Sequence, residues 1–205
     1  MKAYAKVNIF LKITGIRGNY HEIASRFMLV KNLYDTLTFE KGDFASPTIE
    51  GRFSCATESN IIYKIYLKTL EHLPNNSELK DFFKNYKVVV EKSIPEFAGL
   101  GGGSSDAATF LKMLNSELSL DLSLDTMSKI GANVGADIPF FIYGYESANV
   151  TGIGEIVEKY NEEVLNLNVI TPQIACDTKE IYINFRKNHS DLISNNYGFM
   201  SMILW

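Results

Sequence analysis

The sequence has few of the features that mark secreted, membrane-spanning or nucleic-acid-binding proteins. Only two of its 205 residues are cysteines, Cys55 and Cys176, and two distant cysteines predict neither a disulfide framework nor a zinc site. No apolar stretch reaches the length of a membrane span, and the N-terminus lacks the apolar core of a signal peptide. The formal net charge is −4 without any basic run. We therefore expect a cytoplasmic protein that binds neither nucleic acid nor a membrane.

The overall composition is that of an ordinary globular protein, with 46% hydrophobic and 21% charged residues. The length suffices for one good-sized domain, or for one domain and part of another.

A glycine-rich stretch from residue 94 to residue 108 is the most distinctive part of the chain, because four of the 14 glycines fall within it. The pattern before it predicts a strand at 86–93, and the apolar run after it predicts a helix. Glycines allow close approach to the backbone, and a helix start offers unpaired N–H groups, so this order predicts a phosphate-binding loop. The alternative is a tight turn with an N-cap serine, which needs fewer glycines. A Walker loop is excluded, since Ser104 and Ser105 stand where its lysine and hydroxyl would be.

The N-terminal segment alternates between apolar and mostly polar residues from 2 to 14, which predicts a long strand with one buried face. Lys6 and Asn8 then project from the same face; taken alone, they would be solvated strand residues. Helices are expected to begin near Ser59-Asn60, Ser123 and Thr178. Further strands are expected at 29–40, 46–54, 140–143, 147–151, 155–160 and 166–171.

The run from Pro95 to Ala108 resembles the second signature of the GHMP kinases, a family named after galactose, homoserine, mevalonate and phosphomevalonate kinases. Other stretches follow in the family's order. Residues 5–8 resemble the first motif, Tyr20-His21 a cytidine contact, and residues 135–139 the segment of the catalytic aspartate. The resemblance is closest to the branch that phosphorylates 4-diphosphocytidyl-2-C-methyl-D-erythritol, and it extends from about residue 2 to about residue 186.

This resemblance implies an α+β fold. Residues 1–150 would form the family's N-terminal ATP-binding domain, a mixed sheet of long strands with helices. Residues 151–205 would form part of a ferredoxin-like C-terminal domain.

The resemblance also implies an enzyme that transfers a phosphoryl group from ATP, with Mg²⁺, to the 2-hydroxyl of the cytidyl substrate in non-mevalonate isoprenoid biosynthesis. Lys6 and Asp137 would be catalytic, although an aspartate before a proline can also simply organise a turn. Ser105 is a candidate metal ligand. The implied ATP-binding residues are Pro95, Ala98, Gly99, Leu100, Gly101, Gly102, Gly103, Ser104, Ser105 and Asp106.

The implied substrate contacts include an aromatic ring that stacks on cytosine, which Tyr20 would supply, with His21 reading the polar edge of the base. Packing is the alternative role for the Tyr-His pair, and a core position is the alternative for Phe27. The full implied set is Asn8, Tyr20, His21, Phe27, Thr178 and Tyr182.

The sequence departs from the family after about residue 187, where nothing resembles its third glycine-rich motif. We therefore expect a shortened C-terminal domain, in a monomer or weak homodimer. Three alternatives stay open: a GHMP kinase of another specificity, an inactive remnant, and a non-enzymatic interaction protein.

Overall fold

The computed structural model describes residues 1–165, 167–170, 180–181 and 183–188, and it has the α+β architecture that the sequence implies. The strands are β1 (Lys2–Arg17), β2 (Tyr20–Lys41), β3 (Ile49–Glu50), β4 (Tyr86–Glu91), β5 (Ser147–Gly152) and β6 (Ile156–Lys159). The helices are α1 (Ile61–His72), α2 (Ser77–Lys80), α3 (Phe82–Asn85), α4 (Gly102–Glu117), α5 (Leu124–Ala132) and α6 (Ile138–Tyr143), with a 3₁₀ turn at Thr57–Ser59. No helix among these residues is long and apolar enough to cross a membrane.

The long strand β2 organises the six-stranded sheet. It pairs antiparallel with β1 over most of its length, with β5 through residues 23–28 and with β4 through residues 36–41. Because β3 pairs parallel with β4, the sheet is mixed, as expected. The strand predicted at 29–40 is the second half of β2, and the strand predicted at 46–54 is reduced to two residues.

Register shifts in β1 break the simple alternation expected between residues 2 and 14. Ile9 has no ladder partner in β2, and Ile9 and Phe10 are both about two-fifths exposed, at 40% and 42%. Conversely Lys6, which the alternation placed on a solvated face, is buried. Each bulge changes the face on which the following side chains project, so a strict two-residue period does not hold across it.

Residues 140–143, which the sequence analysis assigned to a strand, belong instead to helix α6. This short apolar run is buried on all sides, and for such a run the hydrophobic period cannot separate a strand from a helix. Pro139 in the first turn and Gly144 in the left-handed conformation after the last turn are the signals that favour a helix.

The predicted helix starts at Asn60 and Ser123 are confirmed, and the one near Thr178 lies outside the described residues. The Asn60 side chain accepts a hydrogen bond from the Ile62 N–H at the start of α1, and Ser123 accepts one from Thr126 at the start of α5. Residues 180–181 and 183–188 are helical, whereas residues 167–170 are not the strand that was expected there. The domain boundary after residue 150 stays a prediction, and it falls within β5.

A cluster of aromatic rings forms the centre of the main core, between the sheet and helices α1, α3 and α4. Phe82 is fully buried; its ring centroid lies 5.0 Å from Phe39, 5.2 Å from Tyr86 and 5.8 Å from Phe110. These rings join the two sides of the core.

We expect Phe82→Ala to lower the free energy of unfolding by about 3–5 kcal/mol, because it leaves a cavity that three elements surround. Urea denaturation followed by circular dichroism measures the change. Leu124→Ala at an exposed position is the control, with an expected change within about 0.5 kcal/mol. Equal effects of the two substitutions would show that Phe82 is not central to the core.

Candidate active site

An ammonium group and a carboxylate from distant parts of the sequence meet beside the glycine-rich loop. Lys6 Nζ, on β1, lies 3.4 Å from Asp137 Oδ2, on the connection between α5 and α6. Asp137 occupies the N-cap position of α6, but its side chain makes no capping hydrogen bond. The alternative in which this aspartate merely organises a turn therefore does not account for its side chain, which faces Lys6.

Asn8 holds the Lys6 side chain in place. Its Oδ1 accepts a hydrogen bond from Lys6 Nζ at 2.6 Å, and its Nδ2 donates to Ser25 Oγ at 3.0 Å. Ser25 in turn donates to the Phe10 carbonyl. Both ends of the Asn8 amide are thus hydrogen-bonded within the protein, and its role as a substrate contact stays a prediction.

The glycine-rich loop leads into α4 with a bend that only glycine accommodates easily. Gly101 is the N-cap of α4 with φ of 69°, and no side chain caps the helix. The first N–H groups of the helix, at residues 102–104, therefore have no helical acceptor and stay available to an anion. The N-cap serine of the alternative interpretation is not observed.

The loop and the lysine are packed directly on each other. The Lys6 backbone N–H donates to the Leu100 carbonyl at 2.9 Å. A Cβ atom at Gly101 would lie 3.1 Å from two carbon atoms of the Lys6 side chain and 3.0 Å from Phe141. The absence of a side chain at Gly101 thus lets the loop backbone approach the ammonium group closely.

Not every residue of the loop motif faces this site. Ser105 and Asp106 are each only 1% exposed, on the side of α4 that packs against the core, whereas Ser104 is half-buried at the helix start. Of the two serines, Ser104 is therefore the more exposed, and the role of Ser105 as a metal ligand stays a prediction.

A buried charged network, which the sequence analysis missed, lies behind the loop. Lys92 Nζ is 2.5 Å from Asp35 Oδ2 and 2.7 Å from Asp106 Oδ2. Asp35 Oδ1 also accepts hydrogen bonds from the backbone N–H groups of Ser93 and Ile94. A signal existed: Asp35 stands two residues before Leu37 in a strand, which puts a carboxylate on the buried face.

This network has one ammonium group for two carboxylates. Burial raises the pKa of Asp106 to about 7, against the attraction of Lys92, and its Oδ1 atom is buried with no hydrogen-bond partner within the described chain. Burial also acts to lower the pKa of Lys92, but Asp106 and Asp35 outweigh it and the net shift is upward. Near neutral pH the Asp106 carboxyl is thus partly protonated.

The predicted cytidine contacts lie at the other end of the β1–β2 hairpin. Tyr20 is 63% exposed and pairs with Arg17 across the ladder, while His21 is buried with its ring centroid 6.0 Å from Phe185. Burial, and then the charge of Arg186, lower the pKa of His21, which favours the neutral ring. Tyr20 thus offers an open aromatic face, whereas His21 is largely enclosed.

Phe27 lies in the core, as the alternative interpretation held. It is 1% exposed and packs edge-on against Phe140 at 5.4 Å. Its contact with the site is the ammonium group of Lys6, which lies 4.7 Å from the ring centroid. Thr178 and Tyr182, the two remaining predicted contacts, lie outside the described residues.

A resident metal site is not formed by side chains of the described residues, which contain no group of three His, Cys, Asp or Glu positioned for an ion. Mg²⁺ in nucleotide sites is commonly held by substrate phosphates together with one or two protein groups. The half-buried Ser104 hydroxyl beside the loop fits that kind of binding.

Comparison with known proteins gives matches to one kinase family. The family model described as GHMP kinases N terminal domain matches residues 60–145. A 4-diphosphocytidyl-2-C-methyl-D-erythritol kinase of Sulfurimonas denitrificans is 56% identical over 190 residues, which are 91% of this chain and 71% of the relative.

Solved structures agree with this match. The crystal structure of a 4-(cytidine 5'-diphospho)-2C-methyl-D-erythritol kinase has a TM-score of 0.61 and 31% identity; the match covers 78% of this chain and 54% of that one. The Methanococcus jannaschii mevalonate kinase, with a TM-score of 0.56 and 14% identity over 80% of this chain and 56% of that one, is similar in fold alone.

We expect Asp106→Asn to change the pH dependence of stability. Between an unfolded pKa of about 4 and the folded pKa of about 7, folded Asp106 keeps a proton that the unfolded chain has lost. Wild-type stability should therefore fall as pH rises through this window, by at most about 1.4 kcal/mol per pH unit from this group. Urea unfolding at pH 5, 6, 7 and 8 should show the variant gaining stability relative to wild type.

The matched control is Asp43→Asn at an exposed loop position. A difference between Asp106→Asn and wild type that stays constant from pH 5 to pH 8 would contradict the raised pKa.

Proposed function

The chain belongs to the GHMP kinase family, in the branch of the 4-diphosphocytidyl-2-C-methyl-D-erythritol kinases, and from this we propose that it transfers the γ-phosphoryl group of ATP to the 2-hydroxyl of that cytidyl substrate. The product would serve the non-mevalonate route to isoprenoid precursors. The observation that carries the proposal is the Lys6–Asp137 pair beside the uncapped start of α4. It supplies a proton acceptor, a cation and a phosphate-binding backbone in one place.

ATP would bind with its phosphates against the glycine-rich loop. The free N–H groups at residues 102–104 and the positive end of the α4 dipole both favour an anion there. Mg²⁺, arriving with the nucleotide and held in part by Ser104, would neutralise phosphate charge. The buried network of Lys92, Asp35 and Asp106 would keep the loop in its binding conformation.

Asp137 would accept the proton of the substrate hydroxyl. Its side chain is partly exposed, at 30%, so an incoming alcohol can reach it. A carboxylate is a weak base, but in a loose phosphoryl-transfer transition state the position of the nucleophile matters more than base strength. Lys6, oriented by Asn8, would offset the charge of the transferred group.

The proposed substrate has a base at one end and the reacting alcohol at the other. In the proposed site Tyr20 lies at the tip of the β1–β2 hairpin and Asp137 lies near the loop, so the base would bind at the tip and the alcohol beside Asp137. The exposed ring of Tyr20 would stack on cytosine.

We expect Asp137→Asn to abolish turnover while the affinity for ATP changes by no more than a few-fold, because the amide cannot accept the proton but keeps the shape of the site. Coupled ADP release, with ATP, Mg²⁺ and the cytidyl substrate, measures turnover; calorimetry measures affinity. Asp43→Asn, at an exposed site, should retain activity. Lost ATP binding in Asp137→Asn would instead give this residue a structural role, and no turnover by the wild-type chain would refute the proposed activity.

We expect Tyr20→Ala to raise KM for the cytidyl substrate by roughly 5- to 100-fold, since a stacked base is worth about 1–3 kcal/mol. KM for ATP should stay within about two-fold. Tyr20→Phe keeps the aromatic face and should restore the wild-type KM. Equal changes in both KM values would refute the stacking role.

A further inference from the structure

The turn between β5 and β6 touches the backbone that carries Asp137. Gly154, in this turn, has φ of 122°, a conformation that residues with a side chain rarely adopt. A Cβ atom there would lie 2.9 Å from both the carbonyl oxygen and the Cβ of Ala136. The two backbones are therefore in direct contact, one residue away from the Asp137 carboxylate.

An ion pair from the β1–β2 hairpin supports this turn. Glu155 Oε2 accepts a hydrogen bond from the Ile153 N–H at 2.5 Å, and Glu155 Oε1 accepts one from Arg17 at 2.7 Å. Arg17 also pairs with Glu22 on β2 at 2.8 Å. The Glu155 carboxylate folds over Gly152, where a Cβ would be only 2.5 Å from it. Arg17 is the β1 residue opposite Tyr20 in the β1–β2 ladder. The ion pair that supports the turn therefore comes from the same end of the hairpin as Tyr20.

The charges of Arg17 and Glu155 keep this ion pair formed at neutral pH. Partial burial acts to raise the pKa of Glu155, but its own backbone N–H, Arg17 and the Ile153 N–H outweigh it, and the net shift is downward. Glu155 is therefore ionised when it faces the Arg17 guanidinium.

The Asp137 side chain has little else to hold it. It makes no capping hydrogen bond, and its recorded partner within the described residues is Lys6, at a distance longer than a hydrogen bond. The position of the Asp137 carboxylate is therefore set by the backbone of this residue. On one side this backbone enters α6, with the Ile138 N–H bonded to Gly135; on the other it rests on Gly154.

We propose that Gly154 is a positioning residue for Asp137, and that the Arg17–Glu155 ion pair holds Gly154 against Ala136. The proposal rests on the catalytic role proposed for Asp137. In this arrangement the β5–β6 turn sets the separation between the Asp137 carboxylate and the Lys6 ammonium group, and with it the place of the attacking hydroxyl.

The first test is Gly154→Ala, which pushes the Ala136–Asp137 backbone away. We expect kcat to fall by roughly 10- to 100-fold, the size of effect that a displacement of about 1 Å produces, with KM for ATP within two-fold. Gly144→Ala is the matched control, because Gly144 also has a positive φ (68°) and its Cβ position meets only the end of the Lys112 side chain within 4 Å, at 3.5 Å. An unchanged kcat in Gly154→Ala, or an equal loss in both variants, would overturn the proposal.

A second variant removes the Arg17–Glu155 ion pair without straining the backbone. Arg17→Gln breaks an exposed ion pair that contributes little to folding, so the melting temperature should stay at the wild-type value. We expect kcat to fall several-fold with KM for ATP unchanged, and Arg17→Lys to restore part of it. A wild-type kcat in Arg17→Gln would show that the ion pair does not hold the turn.

A crystal structure of Gly154→Ala provides a readout that does not depend on activity. The proposal expects Lys6 Nζ and Asp137 Oδ2 to be farther apart than the wild-type 3.4 Å. An unchanged separation would overturn the positioning role even if the wild-type chain showed no turnover, whereas absent wild-type turnover with a changed separation would refute only the proposed activity.

Discussion

The buried ammonium group of Lys92 connects the two ends of the glycine-rich loop. Through Asp35 it is linked to the first residues of the loop, and through Asp106 to the first turn of α4. The Lys92 side chain is only 7% exposed, and a charge so enclosed is tolerated because two carboxylates contact it. The geometry of the loop backbone is thus linked to a buried ion group behind it.

Much of the site could be predicted because its residues lie in short sequence motifs. The glycine run requires a backbone that side chains would obstruct, and Gly101 shows this requirement twice, in its φ and in its contact with Lys6. The strand before the loop, the helix after it and the caps at Asn60 and Ser123 follow from short-range patterns. Local chemistry was sufficient for each of these.

The parts that could not be predicted depend on contacts between distant residues. The pairing of Lys92 with Asp35 and the contact of Gly154 with Ala136 have no local pattern, because each joins residues of different elements, 57 and 18 positions apart. The face of β1 on which Lys6 lies could not be predicted from the sequence either, since bulges in β1 interrupt the alternation of apolar and polar residues. Helix α6 was missed because a short, fully buried apolar run has no distinctive period.

The central position of β2 has a consequence for the order of folding. Its pairing with β1 joins neighbours in sequence through a two-residue turn, whereas its pairing with β5 closes a loop of more than half the chain. The entropy of closing a long loop makes the second pairing the slower one. Because β5 and the turn after it complete the surroundings of Asp137, we expect the glycine-rich loop to form before the Lys6–Asp137 pair. A partly folded chain would then have the uncapped start of α4 but not the ion pair beside it.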